Sequence, residues 1–383
     1  MEIKSVVCTA EKQFFQFAHA HIRPLTGLGA QVVFPEALWE KMGAQNLLNP
    51  ALFTGQGLAA NSCTAITRAG RALVHGGGNL GMALSWMVHH LAARSLSFSG
   101  DAAGSQKFQA AHGPLGSAIA KGKATVSFAV SEPGAGAHPK YMAATATRSK
   151  TGYVLNGEKI YLTNGPIAHA FVVIAVTGVD EGGKKLFSAF LVPKESRGLT
   201  VLPPMEIGFF NPSPHGSICM KDCRVPDTAL LGRKDHAHGD RVLAFRQIED
   251  AAMTGPVTGA MAFLLEALAR KMATRPTPAD GDVQGLGGLA VMMETAELLS
   301  CTAAAGVDDP ASAPGPQAFL LAFKNIVREF VAALGELTGN PSLVLPDPCG
   351  MLIHDLSASA RIGAGISQIQ QVKLGREIIR KHL

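Results

Sequence analysis

Two short motifs on either side of a polar stretch constrain the fold of this chain more than any other feature. The first reads Ser131-Glu-Pro-Gly-Ala-Gly-Ala-His and follows a β-rich run. The second reads Asn156-Gly-Glu-Lys-Ile-Tyr-Leu-Thr and contains another β-rich run. Because Asn-Gly between strand-like runs is a strong hairpin signal, the sequence predicts a hairpin with Asn156-Gly157 at its tip. The small residues at 134–137 are predicted to let a bound molecule approach the backbone closely.

The distribution of helical and β-rich patterns divides the chain into three parts. Helical patterns cover 1–122 and 234–383, whereas 123–233 contains short β-rich runs separated by Gly, Pro, Asn and Asp turns. The expected fold class is therefore α+β, with an N-terminal helical domain, a middle β-barrel or sandwich domain and a C-terminal helical domain. Breaks rich in Pro, Gly and Asp at 275–288 and 306–316 are predicted to separate the C-terminal helices.

Composition excludes several classes of protein. The 383 residues are 47% hydrophobic and 16% charged, which is too apolar for a disordered chain. The net charge of +5 is too small to favour nucleic acid as a partner, and the lack of a run of 18 or more apolar residues predicts no membrane span. Six scattered Cys and an N-terminus unlike a secretory signal favour a cytoplasmic protein. Cys219 and Cys223 have no second pair nearby, so no metal site is predicted.

Both motifs resemble the flavin-binding strands of the acyl-CoA dehydrogenase family, which read like Thr-Glu-Pro-Gly-Ala-Gly-Ser-Asp and Asn-Gly-x-Lys-x-Trp-Ile-Thr-Asn. The run Asp222-Cys-Arg-Val-Pro and the closing Ser367-Gln-Ile-Gln also resemble that family. The resemblance implies the acyl-CoA dehydrogenase fold, which ends in a four-helix bundle. It also implies FAD as cofactor, an acyl-CoA substrate and an electron-transferring flavoprotein as acceptor. The implied assembly is a homo-tetramer or a hetero-oligomer with a related subunit.

The resemblance assigns cofactor-binding positions in two parts of the chain. In the β-rich part they are Phe128, Val130, Ser131, Tyr161 and Thr163, and Tyr161 replaces the usual Trp beside the flavin ring. In the C-terminal part they are Arg275, Gln284 and Gln368. The Phe-Gly-Lys that follows this Arg in relatives is missing, and Glu336 stands where an amide is usual. The flavin-ring half of the site is therefore retained, whereas the other half is altered.

The usual catalytic base of the family is absent. Ala364 occupies the place of the Glu, and an Ala cannot abstract a proton. The resemblance places Ala364, Gly365 and Ala137 at the substrate, and Ala137 replaces a Ser that contacts pantetheine in relatives. A minority of relatives carry the base on an earlier helix, and Glu249 aligns with that position. The alternative interpretation is that Glu249-Asp250 is an acidic first turn of a helix, stabilised by the helix macrodipole.

Three functions remain open on these observations. The first is an FAD-dependent acyl-CoA dehydrogenase with Glu249 as base, and the small residues at 363–365 are consistent with a branched or cyclic acyl chain. The second is a catalytically incomplete subunit of a heteromeric acyl-CoA dehydrogenase. The third is a flavin monooxygenase on the same fold, which needs reduced flavin and oxygen but no carboxylate base.

Overall fold

The computed structural model describes residues 9–25, 27–30, 33–49, 62–96, 113–311, 316–362 and 364–380. These residues form helices before and after a mixed β-sheet, so the α+β fold class is confirmed. Two compact units divide the chain. Unit 1 comprises 1–30, 59–83 and 250–383, and unit 2 comprises 31–58 and 84–249. The domain boundaries expected after residues 122 and 233 stay predictions.

Helices form the described parts of the chain before and after the strands. In order they are α1 (Thr9–His21), α2 (Glu36–Ala44), α3 (Ser62–Gly77), α4 (Leu80–Leu96), α5 (113–120), α6 (Ala244–Ala252), α7 (Thr254–Ala273), α8 (Asp280–Asp308), α9 (Pro316–Thr338), α10 (Cys349–Arg361) and α11 (Ala364–Arg380). A π-helical segment, His238–Leu243, directly precedes α6. In unit 1, two glycines of α7 allow it to pack closely against α3. A Cβ at Gly255 or Gly259 would collide with the carbonyl oxygen of Thr67 or Arg71, respectively.

The strands form a single sheet in unit 2. They are β1 (Val126–Ala129), β2 (Thr145–Arg148), β3 (Gly152–Thr163), β4 (Ala170–Val179), β5 (Lys185–Pro193), β6 (Leu199–Val201), β7 (His215–Pro226) and β8 (Leu230–Leu231). Their order is β6-β7-β3-β2-β4-β5-β8, and β1 pairs in parallel with β4. All the β-rich runs of the sequence become strands. Ser127 of β1 donates a 2.8 Å hydrogen bond to the carbonyl of Thr163, which places β1 beside the end of β3.

The expected hairpin tip at Asn156-Gly157 is wrong. β3 runs through both residues, and the turn that joins β2 to β3 lies at 149–152 instead. The register of β3 against β7 shifts between Leu155 and Gly157, so the pair marks an irregularity within a strand. Gly157 has a φ of 131°, and a Cβ there would lie 2.7 Å from the Cβ of Ala144. Glycine is therefore needed for close packing and for the bulge, which gives the same sequence signal as a turn.

Two apolar clusters cover the two faces of the sheet. We call face A the side defined by Val126, Val130, Ala170, Val172 and Ile174. Face B is the side defined by Ala129, Leu162, Phe171, Val173 and Phe190. Because successive side chains of a strand point to opposite faces, the two sets alternate along β1 and β4. Residues of α4 and α5 also contribute to the face A cluster, through Ala92, Ala93, Leu96 and Ile119.

The breaks between the C-terminal helices differ from those expected from the sequence. The first break is shorter than 275–288, because α8 already begins at Asp280 and carries acidic residues in its first turn, where the helix dipole favours them.

Two helical stretches, His238–Ala273 and Asp280–Asp308, are long and apolar enough by length and composition to cross a membrane, although no long apolar run was expected. Buried core helices of this length pass the same test, and 78% of the most apolar part of the first stretch is buried.

Candidate functional site

Three of the five residues expected to contact the flavin ring lie on face A of the sheet in unit 2. Phe128 packs against the face A cluster and Val130 belongs to it. Leu162 lies in the face B cluster, so Thr163, which follows it on β3, points to face A. The amide of Ile160 donates a 2.9 Å hydrogen bond to the carbonyl of Ser131, which brings the two sequence motifs side by side. The fold therefore assembles these five positions within one region.

A buried ion pair, Glu132–Lys159, joins the two motifs. The Lys159 ammonium is completely buried and donates to the Glu132 carboxylate at 2.8 Å and to the Val130 carbonyl at 2.9 Å. Glu132 also accepts from the backbone amides of Ala143 and Ala144, at 2.6 and 3.1 Å. Burial lowers the pKa of Lys159 to about 8, and the neighbouring Glu132 opposes that shift. Through these contacts, the ion pair holds the backbone of the first motif in place.

The turn that follows Glu132 presents an open backbone. Glu132 and Gly136 form an antiparallel bridge, with a 2.9 Å hydrogen bond from the amide of Gly136 to the carbonyl of Glu132. Gly134 and Gly136 have φ values of 69° and 54°, which favour glycine, and a Cβ added to either would meet nothing within 4 Å. Ala137 is half-buried against the face A cluster. This turn leaves room for a molecule to lie against the backbone, as the small residues of the motif predicted.

Tyr161 adopts a conformation that is uncommon for a bulky residue. Its φ is 56°, and the β3–β7 register shifts between Lys159 and Leu162, so Tyr161 lies in a β-bulge. Its side chain is 59% exposed. Such left-handed conformations cost about 1–2 kcal/mol for an ordinary residue and concentrate at functional sites. The bulge turns an aromatic ring outward from the region where the two motifs meet.

A chain of polar contacts lies under the end of β3. Thr163 and His215 are opposite each other on β3 and β7, and Thr163 Oγ1 lies 3.2 Å from His215 Nε2. His215 Nδ1 lies 3.0 Å from the carbonyl oxygen of Ser213. Burial lowers the pKa of His215, so its imidazole is neutral at neutral pH. The next residue, Asn164, is fully buried, and its Oδ1 has no hydrogen-bond partner among the described residues.

Glu249 lies on α6, and the structure contradicts its assignment to the first turn of a helix. The helical stretch begins at His238 and continues to Ala273, so Glu249 and Asp250 lie about three turns beyond its start. Phe245 stacks on Phe128 with ring centroids 4.2 Å apart and an angle of 6°. Glu249 is four residues further on and therefore projects from the same side of α6 as Phe245. Its side chain is half-buried, whereas that of Asp250 is exposed.

The cofactor-binding positions expected in the C-terminal part lie in unit 1. Arg275 forms a 2.8 Å ion pair with Asp282 in the first turn of α8. Gln284 on α8 and Gln368 on α11 are exposed, and so is Glu336 near the end of α9. Ala364 and Gly365 form the start of α11, and their side-chain surroundings lie outside the described part of the structure.

Three important residues of this region received no role from the sequence. Glu132 and Lys159 stand within the two motifs, and the signal was available, since isolated charges in otherwise β-rich runs require a partner when buried. His215 begins β7 and follows Pro214, a pattern that indicates only a strand start. Its contact with Thr163 depends on the pairing of two strands about 50 residues apart in sequence, which no local pattern specifies.

The described residues contain no group of three or more His, Cys, Asp or Glu side chains placed to hold a metal ion. Cys219 and Cys223 both lie on β7. The register advances by two residues on β3, from Leu155 to Gly157, but by three on β7, from Cys223 to Met220. This bulge turns the two thiols to opposite faces of the sheet. Burial raises the pKa of Cys223 to about 11, which disfavours the thiolate that a metal would need.

Comparison with known proteins agrees with this geometry. Residues 127–223 match the family "Acyl-CoA dehydrogenase, middle domain". The chain is 28% identical to the probable acyl-CoA dehydrogenase YngJ of Bacillus subtilis, over 91% of this chain and 90% of that protein. It is 28% identical to the mitochondrial isovaleryl-CoA dehydrogenase of Solanum tuberosum, over 97% and 91% of the two chains. A glutaryl-CoA dehydrogenase of Mycobacterium smegmatis, solved in complex with FADH2, has a TM-score of 0.78, 21% identity and coverage of 96% and 93%.

The helices, the mixed sheet and the paired motifs thus define a protein with the acyl-CoA dehydrogenase fold. More particularly, the chain is a homologue of the acyl-CoA dehydrogenases, which are flavoprotein oxidoreductases that act on CH–CH bonds. The resemblance inferred from the two motifs is therefore confirmed. The roles of the individual site residues stay predictions.

Proposed function

We propose that the chain binds FAD and catalyses α,β-desaturation of an acyl-CoA thioester, with Glu249 as the base. One observation carries this proposal. Phe245 stacks on Phe128, and Glu249 projects from the same side of α6 one turn later. A carboxylate is thereby held beside the strand that the resemblance assigns to the flavin ring. Glu249 compensates for Ala364 at the position of the usual base.

The β-rich half of the site offers open backbone, an exposed aromatic ring and polar side chains to FAD. Gly134 and Gly136 leave open space over the backbone, and Tyr161 presents an outward-facing ring. Ser131 and Thr163 supply hydroxyl groups, and the buried Oδ1 of Asn164 is an acceptor without a described partner. Phe128, Val130, Ser131, Tyr161 and Thr163 would hold the flavin ring through stacking, backbone contacts and hydroxyl groups.

The chemistry divides between the cofactor and the chain. Bound FAD would supply the acceptor for the β hydrogen of the acyl group, which leaves as hydride. Glu249 accepts the α proton, so that a carbon–carbon double bond forms as the two C–H bonds break. Half-burial of Glu249 places it where a bound acyl chain can exclude water. The small residues at 363–365 favour a branched or cyclic acyl group.

A matched pair of substitutions tests the base. Glu249→Gln removes the carboxylate but keeps the shape, and Asp250→Asn makes the same change on a neighbouring side chain that diverges by about 100° around the helix. We expect Glu249→Gln to lower the rate of flavin reduction by roughly 10²–10⁴-fold. Asp250→Asn should stay within about threefold of the native chain, because its side chain is exposed and faces away. Equal losses in the two variants, or none in Glu249→Gln, would contradict the assignment.

The resemblance to the acyl-CoA dehydrogenases also suggests the partners of the reaction. An electron-transferring flavoprotein would reoxidise the flavin, and a homo-tetramer or a hetero-oligomer would cover apolar side chains that this chain exposes. Val291 and Leu298 on α8 are 68% and 67% exposed, and Ile369 and Ile379 on α11 are 58% and 60% exposed. The described cysteines are all free thiols, in agreement with the cytoplasmic location we propose. Light scattering of the purified chain measures the assembly directly.

A second candidate function is a catalytically incomplete subunit of a heteromeric acyl-CoA dehydrogenase. The observation that favours it is the Arg275–Asp282 ion pair, because an Arg held by a carboxylate of its own chain is a weaker anchor for a pyrophosphate. Ala364 at the usual base position points the same way. A chain that purifies without flavin and acquires activity only when mixed with a related subunit would establish this second function and exclude the first.

A further inference from the structure

The contact between Thr163 and His215 determines whether the Thr163 hydroxyl can donate or accept a hydrogen bond toward a ligand. Both side chains project from face A, since Thr163 follows Leu162 of the opposite core and lies directly across from His215. Thr163 Oγ1 and His215 Nε2 are 3.2 Å apart. His215 is only 7% exposed, whereas Thr163 is half-buried and reaches the boundary of the protein interior.

The other ring nitrogen of His215 identifies the tautomer. Nδ1 lies 3.0 Å from the carbonyl oxygen of Ser213, and a carbonyl can only accept a hydrogen bond. Nδ1 therefore carries the proton. Because burial keeps the imidazole neutral by lowering its pKa, Nε2 carries none and is an acceptor. The hydrogen bond at Nε2 must then be donated by Thr163.

This arrangement leaves the Thr163 hydroxyl with only its lone pairs for any other partner. Its single proton is committed to His215, so toward a ligand it accepts and does not donate. The backbone of Thr163 is held as well, because Ser127 Oγ donates to the Thr163 carbonyl at 2.8 Å. An oriented, half-buried acceptor discriminates between ligands that present N–H and ligands that present a bare nitrogen, since the latter is left opposite a lone pair.

We propose that His215 is a positioning residue that holds the Thr163 hydroxyl as a hydrogen-bond acceptor toward flavin N5. N5 bears a hydrogen in reduced flavin and only a lone pair in oxidised flavin. The Thr163–His215 pair therefore favours the reduced cofactor and makes the flavin a stronger hydride acceptor. The inference rests on the proposed function, because it requires flavin at this part of the sheet.

A double-mutant cycle on the FAD-loaded chain tests this role through the flavin midpoint potential. His215→Leu frees the Thr163 proton, which can then be donated to oxidised N5, and Thr163→Val removes the hydroxyl. We expect His215→Leu to lower the preference for reduced over oxidised FAD by roughly tenfold, equivalent to a shift of about −30 mV for a two-electron couple. In Thr163→Val, the further change His215→Leu should shift the potential by less than a third of that amount.

Two further variants separate positioning from general damage to β7. Ser217→Ala alters a buried side chain two residues along the strand, and the potential should stay at the native value. His215→Gln offers one donor and one acceptor and should restore at least half of the lost preference. Additive shifts from His215→Leu and Thr163→Val, or an equal shift in Ser217→Ala, would overturn the proposal.

The tautomer of His215 gives a readout that does not need flavin. In the flavin-free chain, nitrogen-15 NMR of the imidazole should show a protonated Nδ1 and a bare Nε2 at pH 7.5, and Thr163→Val should change the Nε2 shift. A proton on Nε2 would overturn the proposal even if FAD binds normally. Failure of the native chain to bind FAD, with the expected tautomer present, would instead contradict the proposed function and the flavin role that rests on it.

Discussion

The two groups of residues expected to bind the cofactor differ in how strongly their own chain holds them. In unit 2, Glu132 and Lys159 form a buried ion pair that supports the first motif, and Thr163 is bonded to His215. In unit 1, Gln284 and Gln368 are exposed, and Arg275 is paired with Asp282. The first group is organised before any ligand arrives. Among the described residues of the second group, the two amides are exposed and the Arg275–Asp282 ion pair is only partly buried, so the function of this group depends on what the chain binds.

Breaking the buried ion pair should cause the largest change in the free energy of unfolding among the variants of the two groups. Lys159→Met leaves the Glu132 carboxylate buried without its cation, so the free energy of unfolding should fall by about 3–5 kcal/mol. The double variant Glu132→Gln/Lys159→Met should recover at least half of that loss. Urea unfolding followed by circular dichroism measures both. A loss below 1 kcal/mol in Lys159→Met would show that the support of the first motif lies elsewhere.

Acid should weaken unit 2 through two buried histidines of α4. Burial lowers the pKa of His89 to about 4 and that of His90 to about 3. Below pH 6.5 the unfolded chain takes up protons at these residues whereas the folded chain does not, so stability falls as the pH decreases toward 4. The two residues together should contribute a slope of about 2.7 kcal/mol per pH unit near pH 5.

The double variant His89→Gln/His90→Gln isolates that contribution. Each Nε2 lies 3.0 Å from a carbonyl oxygen, of Leu48 and Leu47 respectively, and a Gln amide can donate in its place. The free energy of unfolding of the variant should depend less steeply on pH between 4 and 6, measured by urea titration at several pH values. Parallel curves for the variant and the native chain would contradict a role for the two histidines.

Tyr161 should separate stability from cofactor binding. Tyr161→Gly relieves the left-handed strain and should raise the free energy of unfolding by up to about 1 kcal/mol. It removes the exposed ring, so FAD affinity should fall by roughly tenfold. Thermal unfolding and a flavin fluorescence titration give the two values. Loss of stability in Tyr161→Gly would mean that the ring packs as part of the fold instead of serving a ligand.

The smallest effect on stability is expected in unit 1. Gln284→Ala and Gln368→Ala alter exposed side chains and should change the free energy of unfolding by less than about 0.5 kcal/mol. If these residues contact FAD in the assembled protein, the same variants should weaken FAD binding by at least threefold. Unchanged affinity in both variants would restrict the cofactor site to residues of the β-rich part.

Sequence reasoning succeeded where the signal was a long pattern and failed where the signal was local. The alternation of β-rich and helical runs predicted the α+β fold, because burial imposes a regular period on each element. Asn156-Gly157 was assigned to a turn, yet the same residues serve a bulge, where close packing against Ala144 requires glycine. Glu249-Asp250 looked like a helix start because its acidic pair is common there, but the π-helical segment had already begun the helix at residue 238.

The candidate site could be predicted only in part for a similar reason. Resemblance located the segments that carry Ser131 and Tyr161, and the structure brings them together. The partners that hold them, such as His215 for Thr163, arise from strand pairing and leave no mark in the local sequence. Phe245 and its stacking on Phe128 belong to the same class of contact.

The absorbance spectrum from 300 to 550 nm of the chain purified alone, with protein concentration determined independently, tests the central claim most directly. The β-rich half of the site is organised within a single chain, so we expect the spectrum of bound FAD at close to one flavin per chain. A folded chain that is colourless and takes up no FAD on reconstitution would contradict the proposed flavoenzyme and favour the incomplete subunit.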